Sequence, residues 1–100
     1  MNNDRLLSFL GICKRAGSLI TGAETVTKAV SEHKALLVLY ASDVSENSLK
    51  AVRRAAENNG VAVKELPRNK EELSFALGRL SGVIGITDEG FVRKILTLID

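Results

Sequence analysis

Leu36-Leu37-Val38-Leu39-Tyr40-Ala41 is apolar or aromatic at every position and compatible with extended backbone throughout. A strand with one wet face alternates polar and apolar residues, whereas one that does not alternate is covered on both faces, as in a sheet held between helices. The stretch therefore predicts a central strand, and its neighbours supply the helices. Upstream, Ala23, Val26, Ala29 and Val30 recur at helical spacing and form the apolar stripe of a helix running from about Ala23 to His33. Leu19 to Thr21 reads as a short strand before it. Leu6, Phe9, Leu10 and Cys13 mark a first helix, capped by Asn3 or Asp4 and ended near Gly17. Downstream, Asp43 and Glu46 have the spacing of a capping box ahead of a helix that buries Leu49, Val52 and Ala56 and stops at Asn58-Asn59-Gly60. Val61 to Leu66 is a third strand. After Pro67, Asn69 and Glu72 stand at reciprocal-cap spacing on a fourth helix, with Leu73, Ala76 and Leu77 inward and Gly78 at its end. Val83 to Ile86 forms the last strand, and Thr87 or Asp88 caps a closing helix with Phe91, Ile95 and Leu98 inward. The order αβαβαβαβα predicts an α/β fold, a three-layer α/β/α sandwich around one four-stranded mixed sheet. Periodicity leaves the order of the strands open.

The chain has 100 residues, 45% of them hydrophobic, enough for one core, so residues 1–100 are expected to form a single domain. No apolar run reaches the length of a membrane span. Met1-Asn2-Asn3-Asp4-Arg5 has neither a basic n-region nor an apolar h-region, and a cytoplasmic protein without membrane contact is expected. Cys13 is the only cysteine, which excludes an intramolecular disulfide, and its helical phase with Leu6, Phe9 and Leu10 reads as a buried thiol. Lys and Arg number 14 against 12 Asp and Glu, a net charge of +2 that is too small by amount alone to announce a nucleic-acid binder. Placement decides. Lys14 and Arg15 precede the first strand, Lys28 lies on the outer side of the second helix, and Lys50, Arg53 and Arg54 share the third; Arg68, Lys70 and Arg79 flank two later loops.

The common α/β chemistries lack their residues. There is no phosphate-binding P-loop and no Gly-x-Gly-x-x-Gly after the first strand. One histidine, His33, and one thiol are too few for a Cys/His zinc site, so no metal and no cofactor are expected. His33 beside Lys34 reads as a solvated helix-terminal residue, and Asp43, Asp88 and Glu89 after strand ends read as helix caps, so no catalytic residue is assigned. What stands out is Thr21-Gly22-Ala23-Glu24-Thr25-Val26-Thr27-Lys28, where a glycine joins a strand to a helix. A helix start presents backbone N–H groups without intrahelical partners and a partial positive charge, and a glycine there lets a ligand approach the backbone. Glu24, Thr25 and Lys28 share the outer side of that helix. A glycine turn followed by a solvated polar face is also ordinary α/β architecture.

With Gly22-Ala23, Val26-Thr27-Lys28-Ala29-Val30, Ala35, Leu37-Val38 and Ala41-x-Asp43 in view, the chain resembles the kink-turn RNA-binding ribosomal protein superfamily, over nearly its whole length. Lys14-Arg15-Ala16-Gly17, Asp43-x-Ser45-x-Asn47, Lys70-Glu71-Glu72-Leu73 and Thr87-Asp88-x-Gly90-Phe91 make it most similar to the small bacterial YlxQ-type branch. The resemblance implies a non-enzymatic, ribosomal-protein-like RNA binder that inserts the N-terminal end of helix two into a sharply bent RNA with sheared G·A pairs. The expected partner is structured RNA, with the ribosome as one setting; no DNA binding is expected, and the chain is expected to be a monomer. Carried over by position, Gly22 gives close backbone approach, Glu24 and Thr25 face guanine edges, and Lys28 meets guanine or phosphate. Asp43 shapes the loop after strand two, Lys70 reaches the RNA backbone, and the loop with Arg79, Leu80 and Ser81 meets looped-out nucleotides. Lys14 and Arg15 complete the implied RNA-binding set. Such a surface suits RNA, whose base edges become accessible at bulges and distorted helices.

The chain departs from the superfamily's Gly-x-Asn-Glu-x-x-Lys pattern by carrying Glu24 in place of Asn and Thr25 in place of Glu. Glu24 accepts hydrogen bonds from guanine, but Thr25 lacks a carboxylate's paired acceptors and the amide donor is gone. Ser74 replaces a glycine common in the fourth helix, and the loop after Gly78 is short. These changes permit an alternative, a protein-interaction or ribosome-assembly module on the same fold without kink-turn specificity.

Overall fold

The structure, a computed structural model, describes residues 4–79 and 81–99. Nine elements alternate: α1 (Arg5–Arg15), β1 (Leu19–Thr21), α2 (Ala23–Ser31), β2 (Leu37–Tyr40), α3 (Glu46–Asn59), β3 (Ala62–Glu65), α4 (Lys70–Leu77), β4 (Val83–Ile86) and α5 (Glu89–Ile99). The strands form one mixed sheet in the order β1-β4-β2-β3. β2 and β3 run parallel, and β4 lies antiparallel between β1 and β2. As the apolar run 36–41 predicts, β2 is central, with Leu37, Val38 and Leu39 buried. Its two ends are trimmed: Leu36 stays 43% exposed and Ala41 leaves the ladder to donate to the Gly82 carbonyl.

Alternation along the strands divides the core between the two faces. Leu37, Leu39, Ile84 and Ile86 pack with Leu6, Leu10, Leu73 and Ile95 beneath α1, α4 and α5. Val38 and Val83 pack with Val26, Val30, Leu49 and Val52 beneath α2 and α3. Each such side chain, once fully buried, contributes about 1.5–3 kcal/mol. Among the described residues no helix is long and apolar enough to cross a membrane.

The helix ends follow local chemistry with two corrections. Asp4 caps α1 by accepting from the Leu7 N–H, Asn69 and Glu72 form the reciprocal cap of α4, and Asp88 accepts from the Phe91 N–H at the start of α5. The alternative first cap, Asn3, lies outside the described residues. The second helix stops at Ser31, two residues before His33. His33 itself adopts a left-handed conformation (φ 62°), and the Lys34 N–H bonds the Ala29 carbonyl while His33 bonds Val30, the paired closure of a Schellman end. The third helix is capped by Ser45, whose hydroxyl accepts from the Ser48 N–H at 3.2 Å, and not by Asp43. Asp43 instead accepts from the Lys70 N–H at 2.9 Å, capping α4 from another loop.

Candidate nucleic-acid interface

Thr21 pairs with Ile84, and Tyr40 with both Val83 and Glu65, so the C-terminal ends of β1, β2 and β3 and the start of β4 share one end of the sheet. The helices that follow the three parallel strands, α2, α3 and α4, therefore all begin there. Ligands of open α/β sheets gather at such strand ends.

Of these three helix starts, that of α2 is the one without a side-chain cap, since Ser45 caps α3 and Asn69 caps α4. Gly22 is its N-cap, no side chain caps it, and the first turn carries Glu24 as its acid. Gly22 has φ 100° and ψ 132°, a conformation that side-chain-bearing residues rarely adopt. Its N–H donates to the Val83 carbonyl at 2.9 Å, which ties the helix start to the first residue of β4. Glu24, Thr25 and Lys28 are exposed on the outer side, while Val26, Ala29 and Val30 are buried. The outer side is thus unconstrained by packing.

From Val83 the path continues through the loop before it. A Cβ on Gly82 would lie 2.6 Å from Val44 Cγ2 and 3.2 Å from two stem carbons of Lys70, so the 78–82 loop, the 41–45 loop and the start of α4 touch at a point where only glycine fits. Asp43 completes this junction through its bond to the Lys70 N–H. Gly22, Asp43 and Lys70 are in this way brought to one end of the sheet, with Glu24, Thr25 and Lys28 beside them on α2. The sequence gives little hint of Val44 and Gly82 as the hinge of the arrangement, since each is ordinary until the loops are set side by side.

The remaining site candidates divide. Arg79 is exposed in the 78–82 loop. Ser81 is buried, and its hydroxyl donates to the Val83 carbonyl at 3.0 Å, so it shapes the loop from within. Leu80 lies outside the described residues. Lys14 and Arg15 occupy the last turn of α1, next to the start of β1 and hence at the opposite end of the sheet, where they complement the helix dipole.

Ion pairing narrows the cations further. Arg68 bonds Asp4 at 2.6 Å, holding that carboxyl below the ordinary carboxylate range, and Arg53 grips Glu46 through two nitrogens while donating to the Tyr40 hydroxyl. Both arginines are raised in pKa by these hydrogen bonds and are engaged in the fold. Lys28, Lys70 and Arg79 make no ion pair among the described residues. An open helix start, three exposed cations and an acceptor carboxylate at Glu24 suit an anionic polymer whose bases also offer donors.

A family model described as the ribosomal protein L7Ae/L30e/S12e/Gadd45 family matches residues 4–96. The chain belongs to this family. Its YlxQ-type relatives include the RNA-binding protein YlxQ of Enterococcus faecium, 34% identical over 99% of this chain and 95% of that protein. The YlxQ protein of Bacillus subtilis is 32% identical over 91% of each chain. Among solved structures, a protein of unknown function from Bacillus halodurans C superposes with a TM-score of 0.88 at 36% identity, covering 98% of this chain and 99% of its own. The Giardia lamblia 15.5kD RNA binding protein shares the L7Ae-type fold with a TM-score of 0.74 at 21% identity, over 94% of this chain and 81% of its own.

Proposed function

We propose that the chain acts as one non-enzymatic RNA-binding domain, recognising a kinked or bulged structured RNA through the N-terminal end of α2 and the 41–45 and 78–82 loops. The reading rests on one observation above all: the uncapped start of α2 is hydrogen-bonded through Gly22 to Val83, beside the junction of Gly82, Val44, Lys70 and Asp43. The names of the YlxQ relatives, which are RNA-binding proteins, support it.

In this mode the open N–H groups of α2 and its positive end meet phosphate or base acceptors. Glu24 accepts from the donor edge of a guanine, and Lys28, Lys70 and Arg79 neutralise backbone charge. Affinity then falls with salt by roughly 0.7 to 0.9 log units per phosphate contact for each tenfold rise. Thr25, with a single hydroxyl, is the weak point of base reading. Replacing Glu24→Asn together with Thr25→Glu supplies an amide donor and a paired acceptor. It should tighten binding to a kink-turn duplex by roughly 1 to 3 kcal/mol, and adding Lys28→Ala should weaken it again. The test is a titration of wild type and both variants against that duplex and an unkinked control; equal affinities for the two RNAs throughout would refute kink recognition by this end of α2.

A further inference from the structure

We propose that the groove between α1 and α4, on the face of the sheet away from α2, is where the chain pairs with a second copy of itself. Phe75 projects from α4 with 92% of its surface exposed, far more than either other exposed large apolar side chain of the described residues. Beside it runs an open groove of about 460 Å³ whose floor includes Ser8, Gly11 and Ala76, and a second hollow shares its Asp4, Leu7 and Phe75 walls. Small residues make the floor and a large aromatic stands at the wall, so one surface carries both a knob and a hole.

The charges at the two ends make the surface complementary to itself. At one end lies Arg15, folded back over Gly11, and at the other Glu71. The acidic neighbours at the Glu71 end are already engaged, Asp4 by Arg68 and Glu72 by the Asn69 N–H. Arg15 and Glu71 make no ion pair among the described residues. A two-fold axis through the middle of the groove sets each Phe75 over the partner's floor and each Arg15 against the partner's Glu71, the reciprocal pattern of an isologous contact. A heterologous protein would have to reproduce this knob and hole and both charged ends, whereas a second copy supplies them by symmetry. The pairing is proposed in place of the monomer expected from the sequence. It also sends the two ends that carry α2 in opposite directions, leaving both open.

Sedimentation equilibrium or light scattering of the full chain over a wide concentration range tests this. The mass of the wild type should rise from 10.8 kDa toward twice that value. Phe75→Ser should hold it at the single-chain mass; the side chain is exposed, so circular dichroism should be unchanged, and Ser8→Arg, which fills the floor, should act alike. Arg15→Glu and Glu71→Arg should each weaken pairing by about tenfold or more through facing like charges, and the double variant should regain it. A wild type that stays at 10.8 kDa at millimolar concentration would overturn the proposal, as would pairing that survives Phe75→Ser or a charge exchange that fails to restore it.

Discussion

Gly22→Ala isolates the backbone requirement at the start of α2. The nearest atom to a Cβ built there, outside its chain neighbours, is Thr25 Oγ1 at 3.8 Å, an ordinary contact, so the substitution crowds nothing. Its whole cost lies in holding alanine at φ 100° and ψ 132°, about 1–3 kcal/mol for such a conformation. A domain of this size is stable by roughly 5–15 kcal/mol, so the variant stays folded. Its melting temperature should fall by about 4–8 °C per kcal/mol lost. If the backbone relaxes to negative φ instead, the 2.9 Å bond from the Gly22 N–H to Val83 is given up, and hydrogen exchange at that amide quickens. Gly82→Ala makes the contrast, because there the obstacle is Val44 Cγ2 at 2.6 Å. Overpacking costs about 1–3 kcal/mol and is relieved by removing the obstacle, so Val44→Ala should partly rescue Gly82→Ala and leave Gly22→Ala unrelieved. Thermal melts of the four variants decide. A Gly22→Ala protein that melts with the wild type and keeps its Val83 bond would refute the argument from backbone conformation.

Asp4→Ala removes both the α1 cap and the bond from Arg68 and should cost about 2 kcal/mol in a denaturant titration. Because the Asp4 carboxyl is held low chiefly by the Arg68 hydrogen bond, the unfolded chain takes up its proton first as pH falls. That contribution is intact above the unfolded value and is lost from about pH 4 downward, a slope that should be missing from the Asp4→Ala titration. Asp43→Ala should quicken hydrogen exchange at the Lys70 amide and spare Ser48, while Ser45→Ala should do the reverse. Cys13 is fully buried, and burial pushes its thiol up to about 11. A thiol reagent at about pH 8 should therefore react only as the protein unfolds, at a rate that follows denaturant.

The sheet was legible because its signals are local. β1 and β4 span the residues that their apolar runs mark, and Asn69 with Glu72 forms the reciprocal cap that a three-residue spacing announces. The misreadings occur where the deciding partner is distant or the residue type is unusual. Asp43 has the spacing to cap α3, but its acceptor is taken by Lys70, 27 residues on, and Ser45 takes the local role. His33 closes α2 in a left-handed conformation most often filled by glycine, so composition ran the helix two residues too far, up to it. Strand order depends on which hairpins and crossovers pack, and nothing in the period of β4 reveals that it inserts between β1 and β2. For the candidate site, the start of α2 was visible as a glycine before a polar helix face. The gathering of Asp43, Val44, Lys70 and Gly82 needed the loops in space, as did the separation of Lys14 and Arg15 from them and the use of Ser81 inside its loop.

Chemical-shift mapping of the isotope-labelled full chain, titrated with a kink-turn RNA at low and high salt, tests the RNA reading most directly. The account predicts perturbed amides at Gly22 through Lys28, at Asp43, Lys70 and Arg79, weakening together as salt rises, with Lys14, Arg15 and Phe75 left unmoved. Perturbations centred on Lys14 and Arg15 or on the α1–α4 groove, with the start of α2 silent, would contradict it.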